Sequence, residues 1–284
     1  MSEATSAAST PKPGMPPRWS YAILILAFLF VLMPFLFWRQ TWFGEPLTDD
    51  ELVKNFADVQ HPRKIQHALV QVEKRISEGD PSASRWYPQV LEQAASEIHE
   101  LRMTAAWVMG QDNKVPEFHR ALLRLVKDAH PMVRRNAGLA LVRFGDATGH
   151  HEVVALLQPF EMPATESGAL DHRLQPGDTV NPGTLIGRIH SGSGEVEVRA
   201  EVPGTLERWL IAEGAAVEAG QGIATIAPDH ASIWEALRAL VLIGRAEDLP
   251  AVERYSNRFA NIPEAIQQQA RETARAIRER TVAE

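Results

Sequence analysis

Apolar residues recur at the spacing of an α-helix across residues 62–160. One stripe runs through the segment 115–126, and its members are Val115, Phe118, Leu122, Leu125 and Val126. Residues three and four apart lie on the same face of a helix, so the stripe predicts an amphipathic helix with one buried side. Pro131 and Gly145 frame the next stripe, because proline suits the first position of a helix and glycine suits its C-terminal end.

The helical pattern repeats along the chain. The segment LRMTAAWVMGQD from Leu101 resembles VRRNAGLALVRFGD from Val133. A third copy and a partial fourth copy follow residue 230. Small residues at matching positions would let neighbouring helices approach closely, and they are Ala105, Ala137, Ala236 and Ala270. Helix pairs at a fixed period stack into a solenoid because one pair cannot bury its own apolar face. A plain helical bundle is the alternative.

These copies resemble the HEAT family, in the short variety named after phycobilisome lyases. The family motif hPxVRxxAxxALxxhGD is present almost in full at residues 130–146. The resemblance implies HEAT-like repeats over residues 62–160 and 230–284. In that family the arginine and aspartate of the motif form a ladder between repeats. The residues that would carry this role here are Arg102, Asp112, Arg134 and Asp146.

The pattern changes at residues 168–229, where Gly, Pro, Val and Ile are frequent and turn signals recur every few residues. The stretch EVEVRAEV alternates apolar and polar residues, as a half-buried strand does. The stretches LQPGDTVNPGTLIGRI and IAEGAAVEAGQGIATI share one frame at a constant offset. The matched pairs are Gly177 and Gly214, Val180 and Val217, Gly183 and Gly220, Ile186 and Ile223, and Ile189 and Ile226. A β domain made of two similar halves is therefore expected.

This two-fold repeat looks like the biotinyl/lipoyl domain, a small flattened β-barrel called a barrel-sandwich hybrid. The turn PGTL and the motif EGxxVxxGQ carry the resemblance. In the carrier families, a hairpin between the halves presents a lysine that is acylated with biotin or lipoate. The corresponding tip here consists of Gly192, Ser193 and Gly194, with Ser193 at the lysine position.

A serine hydroxyl cannot form the amide that biotin or lipoate requires, and the last lysine of the chain is Lys127. Covalent carriage is therefore excluded, and no cofactor is predicted. The fold remains available as a rigid binding block. It serves in this way in the membrane-fusion adaptors of efflux and secretion systems, which carry a long helical hairpin at this tip.

The N-terminal region predicts attachment to a membrane. Residues 1–18 are rich in Ser, Ala, Thr and Pro and are expected to form a disordered tail. An uncharged run of eighteen residues follows within 19–42, and aromatic residues flank it. Such a run is long enough to cross most of a hydrocarbon core of about 30 Å. A transmembrane anchor over 19–42 and a linker over 43–61 are therefore predicted, with a cleaved signal peptide as the alternative. The excess of bases before the run favours an extracytoplasmic position for the rest of the chain.

Charge and residue chemistry narrow the function. A net charge of −7 argues against nucleic acid, because phosphate binding needs a basic surface. The absence of cysteine excludes disulfides, thiolate metal sites and cysteine nucleophiles. His150 and His151 are adjacent and point in different directions on a helix, so they predict a solvated helix start and not a metal site. Ser191 and Ser193 lack a recognisable His/Asp frame, which argues against a hydrolase.

The patterns together predict an α+β protein with an N-terminal transmembrane helix, an α-solenoid of HEAT-like helix pairs and an inserted small β barrel-sandwich hybrid. The function expected is that of a membrane-anchored, non-catalytic scaffold without metal or cofactor. Its partners would be proteins of a membrane complex, and residues 19–42 would contact the bilayer. The alternative is a periplasmic adaptor subunit of an export or efflux system.

Overall fold

The computed structural model describes residues 25, 26, 28, 30 and 32, and residues 46–192, 194–256 and 262–283. Contacts divide the chain into two compact units, Met1–Thr48 and Asp49–Glu284. In the first unit the five described residues between 25 and 32 are helical, and four of them have exposed apolar side chains.

The predicted transmembrane helix over residues 19–42 is corrected by the structure. No helix among the described residues is both long enough and apolar enough to cross a membrane. A crossing needs about 20 consecutive apolar residues in one helix. The expected contact of residues 19–42 with the bilayer stays a prediction. The tail at 1–18 lies outside the described residues.

The second unit is an α+β assembly that starts and ends with helices. The first set of helices is α1 (Asp49–Ala57), α2 (Pro62–Ser77), α3 (Tyr87–Gln93), α4 (His99–Met109), α5 (Pro116–Leu125), α6 (Pro131–Arg143) and α7 (His150–Ala155). The second set is α8 (His230–Ile243), α9 (Leu249–Glu253) and α10 (Glu264–Ala283). Short 3-10 helices lie at Pro81–Trp86 and Ala246–Asp248.

Local sequence signals set several helix ends. Pro131 begins α6, and the ring of His130 before it accepts a hydrogen bond from the Met132 N–H. Gly145 follows α6 with a φ of 72°, a left-handed conformation that glycine adopts without a steric penalty. The prediction of a helix framed by Pro131 and Gly145 is therefore confirmed.

The helices form two layers. Helices α2, α4, α6, α8 and α10 lie side by side in that order, and α3, α5, α7 and α9 pack against them. The matched alanines at positions 105, 137, 236 and 270 are all fully buried in the first layer. Side-chain hydrogen bonds also join neighbouring helices of this layer. The Asn136 amide donates to the Met103 carbonyl, and the Thr273 hydroxyl donates to that of Leu237. These bonds span 33 and 36 residues, close to the spacing of the sequence repeat.

The β region supplies eight strands within the described residues. They are β1 (Phe160–Pro163), β2 (Gly168–His172), β3 (Thr179–Val180), β4 (Leu185–Ser191), β5 (Gly194–Arg199), β6 (Gly204–Trp209), β7 (Ala216–Val217) and β8 (Gly222–Pro228). Two antiparallel sheets result, with strand orders β1-β8-β6-β3 and β5-β4-β2-β7. Each strand of one sheet has its counterpart four places earlier or later in the other sheet, so β1 corresponds to β5, and β8 corresponds to β4. The two halves of the region are therefore equivalent in topology.

Backbone hydrogen bonds follow the same two-fold relation. The Gly177 N–H donates to the Leu206 carbonyl, and the Gly214 N–H donates to that of Leu170, each at 2.8 Å. Gly177 and Gly214 have φ values of 101° and 72°, which L side chains rarely adopt. The valines that follow these turns, at positions 180 and 217, are both buried. The two halves of the β region, which the repeated sequence frame predicts, are therefore equivalent in the structure at these positions.

The first and last strands of the β region lie next to each other. β1 pairs antiparallel with β8, and Phe160 is opposite Ile226. Helix α7 ends just before β1 and helix α8 begins just after β8. The two helices therefore pack together although the whole β region separates them in sequence. Met132 of α6 packs against the apolar core between the sheets, which joins this core to the helical layers.

Close approach of two strands predicts a sensitive position at Gly204. A Cβ there would lie 2.1 Å from the Ala227 carbonyl oxygen and 2.7 Å from Ile226 Cγ2. We expect Gly204→Ala to lower the free energy of unfolding by about 1–3 kcal/mol, because the paired strand must move. Gly192→Ala is the matched control, since no heavy atom would lie within 4 Å of its Cβ. Denaturant unfolding measures both, and equal stability of the two variants would contradict the packing described.

Candidate functional site

The arginines of the predicted ladder lie between helices and carry bonds over long sequence distances. Arg102 donates to both carboxylate oxygens of Asp128, at 2.7 and 2.9 Å, and to the carbonyls of Ser96 and Glu97. Burial alone would raise the pKa of Asp128, but the bonds from Arg102 and from the His130 backbone N–H lower it overall. Arg102 thus joins the start of α4 to the turn between α5 and α6.

Arg134 repeats this arrangement in the next repeat. Its Nη1 donates to the carbonyls of Asp128 and Ala129, which lie 6 and 5 residues before it. Ser96 and Glu97 lie at the same two distances before Arg102. Its Nε donates to a carboxylate oxygen of Glu152 at 2.9 Å. The two arginines therefore have the same backbone partners in successive repeats and different acidic partners.

The ladder aspartates reach in the opposite direction. Asp112 accepts a hydrogen bond of 2.7 Å from the Tyr87 hydroxyl, and Asp146 lies 2.7 Å from Nε2 of His119. The structure brings neither Arg102 to Asp112 nor Arg134 to Asp146. Through these bonds all four residues join consecutive helices.

The hairpin tip lies between β4 and β5. Gly192 has open space around it, and Gly194 begins β5 with a φ of 133°. Ser193 lies outside the described residues. Beside the tip, His190 Nε2 lies 2.8 Å from an Asp171 carboxylate oxygen, and both side chains are about half exposed. This pair holds β2 to β4 at the surface of the domain.

An open groove crosses the helical layer where α4, α6 and α8 lie side by side. It encloses about 430 Å³. Trp107 and Leu242 border it and are 39% and 65% exposed, high values for large apolar side chains in the folded unit. Leu139 and Ala239 lie in it as well. We call this feature the α4–α6–α8 groove. Its apolar surface faces solvent, so it can bury an apolar side chain from another molecule.

Charged groups stand at the same groove. Arg143, Glu235 and Arg238 line it. Arg143 donates to the Gln111 side chain, whereas the side chains of Glu235 and Arg238 have no hydrogen bond or ion pair with any part of the chain described. Two of these three charges are positive, in contrast to the net charge of −7 for the whole chain. The groove therefore combines an apolar surface with a locally positive rim.

His150 and Asp248 form a buried pair that joins the two helical sets. Nε2 of His150 lies 2.7 Å from Asp248 Oδ2, and both side chains are at least 90% buried. Glu247 completes a group whose possible ligand atoms lie within 4.8 Å of one another, so the three residues could hold a metal ion. Asp248 also accepts the Arg245 N–H at 2.7 Å. The prediction that both histidines are exposed to solvent at the start of a helix is wrong for His150. It is confirmed for His151, whose side chain is 93% exposed.

Two stacked histidines lie where the helices approach the β region. The rings of His99 and His130 are 3.9 Å apart between centroids. Burial, together with the charge of His99, lowers the pKa of His130 to about 4, although Asp128 and Glu100 act in the opposite direction. Burial also raises the pKa of Glu201 in the loop after β5. This contact therefore contains groups whose protonation differs between the folded and unfolded chain.

The groove and the buried pair are features of the structure that the sequence patterns did not predict. Trp107 aligns with Leu139 when the segments from Leu101 and Val133 are matched, and its side chain is partly exposed. A signal for the groove existed at Leu242, an apolar residue outside the buried stripe of α8. Comparison with protein-family models and with curated proteins gives no match for this chain.

The buried pair predicts a difference between adjacent histidines. We expect His150→Ala to lower the free energy of unfolding by about 1.5–3 kcal/mol, because Asp248 keeps its charge and loses a hydrogen bond. His151→Ala is the control and should change stability by less than about 0.5 kcal/mol. Thermal and denaturant unfolding measure both variants. Equal losses from the two substitutions would show that the pair does not join the helical sets.

The histidine stack predicts a pH dependence of stability. The unfolded chain protonates His130 near its ordinary pKa of about 6.5, whereas the folded chain protonates it only near 4. The unfolded state therefore binds more protons between these values, and stability falls as pH is lowered from about 6.5 to 4. His130→Asn keeps a residue that can cap α6 and removes the titration. Its unfolding free energy should fall less over this window, and parallel curves for both proteins would contradict the assignment.

Proposed function

We propose that the protein is a non-catalytic interaction protein whose α4–α6–α8 groove holds an amphipathic helix of a protein partner. The observation that supports this function is the open groove, with Trp107 and Leu242 exposed at its border. Large apolar side chains in a groove are a recurring means of recognising a partner helix, which inserts apolar anchors at positions i, i+3 and i+7.

The residue types at the groove suit such a partner. Tryptophan and arginine are enriched among the residues that contribute most to binding energy at protein interfaces. Trp107 and Leu242 would each be removed from water by an inserted side chain, and burial of apolar area is the main favourable contribution. Arg238 lacks a partner in the described chain and would meet an acidic side chain of the ligand helix. The partner expected is therefore apolar on one face and acidic at its edge.

We further propose that residues 62–160 and 230–284 are HEAT-like repeats and that residues 168–229 are a biotinyl/lipoyl-like domain. Support for the first comes from the bonds of Arg102 and Arg134, whose carbonyl partners occupy matching positions in successive repeats. Support for the second comes from the equivalent strand orders of the two sheets. A domain of this kind without a lysine would position neighbouring elements and would not carry a group.

An adaptor in an export system has less support. The adaptor domains that the β region resembles continue from this hairpin into long helices, whereas β4 ends at Ser191 and β5 begins at Gly194. The short tip between them cannot form the duct-lining element of such a machine.

Site-specific crosslinking tests the proposed function. A photoreactive phenylalanine analogue at position 107 should crosslink a defined partner protein in cells that produce the full chain. The same analogue at position 59 is the control, because Val59 is 68% exposed and lies away from the groove. We expect at least about tenfold more of the crosslinked species from position 107, and Arg238→Glu should reduce it because the rim charge changes sign. Equal crosslinking from both positions, or a yield unaffected by Arg238→Glu, would contradict the groove as the binding surface.

A further inference from the structure

Arg135 is a buried arginine of α6, and only 6% of the residue is exposed. Its guanidinium carbon lies 5.3 Å from the centroid of the Phe160 ring, at the start of β1. Among the described residues, its side chain makes no hydrogen bond and no ion pair. A guanidinium has five N–H donors, and the nitrogens of Arg135 are not fully enclosed, so they can meet solvent or a ligand.

Two acidic residues act on the charge of Arg135, and both are bonded elsewhere, whereas Glu161 lies in the adjoining pocket. Glu152 and Asp229 both act on its charge through space. Glu152 accepts from Arg134, and Asp229 accepts from the Ser232 N–H at the start of α8. Burial lowers the pKa of Arg135, and Glu152 opposes this change. The described part of the chain therefore retains a cation at this place without giving it a bonded anion.

A pocket of about 350 Å³ adjoins Arg135. His151, Val154, Gln158, Phe160 and Glu161 contribute to its walls. Arg254 donates to Oε1 of Gln158, so the amide N–H groups of Gln158 remain as donors. His151 is almost fully exposed at the same pocket and can donate from its ring. Apart from Glu161, the polar side chains of the walls can therefore act as donors.

We propose that this pocket binds a small oxyanion, a carboxylate or a phosphate group, through the guanidinium of Arg135. The planar fork of two N–H groups fits two oxygens of such an anion. Phe160 lies against the guanidinium and restricts its orientation, and the amide of Gln158 supplies a further donor. The site is separate from the α4–α6–α8 groove, so the proposal does not depend on the partner helix.

The choice of arginine at this position supports a ligand. An apolar side chain of similar length would fill the space beside Phe160 without leaving donors unbonded, and buried charges are often replaced by apolar residues without loss of stability. A buried cation that makes no bond within the described chain is suited to an acceptor that arrives from outside. Water is the other acceptor that could occupy the pocket, and the test separates the two.

Titrations with the purified full-length chain test the site. Inorganic phosphate is followed by ³¹P NMR and ¹³C-labelled acetate by ¹³C NMR, each against chloride at the same ionic strength. We expect saturable binding of at least one anion to the wild type, and the stronger of the two identifies the chemical class. Arg135→Met should raise the Kd at least about tenfold. Arg120→Met, which removes an exposed arginine outside both this pocket and the groove, should leave the Kd within about twofold.

Arg135→Lys is a second variant that keeps the test decisive if Arg135→Met fails to fold. It keeps the charge and loses the two-pronged geometry, so it should fold and still bind more weakly than the wild type. Equal Kd values for the wild type and both Arg135 variants would overturn the proposal. So would the absence of saturable binding of either anion to the wild type, which would assign the pocket to water alone.

Discussion

The pairing of β1 with β8 is the constraint on which the arrangement of the second unit depends. It places the two ends of the β region beside each other, with Phe160 opposite Ile226. Helix α8 can then continue the layer of α2, α4 and α6, as though no insertion separated them. Two buried hydrogen bonds close the junction, one between His150 and Asp248 and one from the Tyr255 hydroxyl to the Leu157 carbonyl. Each spans 98 residues, so both join parts of the chain that the β region separates in sequence.

The α4–α6–α8 groove is a product of this closure. Two of its helices precede the β region and one follows it, so its walls exist together only when the strands at the junction are paired. The Arg135 pocket lies on one side of the junction, because α6, α7 and the adjoining β1 supply all of its walls. Binding in the groove would therefore be coupled to the junction, since a ligand that holds both walls of the groove also stabilises their contact.

The sequence predicted the features that local chemistry decides. Proline and glycine positions set the ends of α6, and the repeated frame identified equivalent turns at Gly177 and Gly214, because these conformations depend on one or two residues. It did not predict features that depend on distant residues. His150 is adjacent to an exposed histidine and looks solvated until Asp248, far along the chain, is placed against it. Trp107 is partly exposed at a groove that α8, far along the chain, helps to form. Hydropathy alone also suggested a membrane span that the described helices do not contain.

Native-state hydrogen exchange at increasing denaturant tests the dependence on the strand junction most directly. If pairing of β1 with β8 holds the helical sets together, the amides of β1 and β8 and the central amides of α6 and α8 will lose protection in one cooperative step with the same free energy. The account would be contradicted if α8 and α10 opened at a lower free energy than α6 while β1 and β8 stayed protected. The two helical sets would then unfold independently of each other.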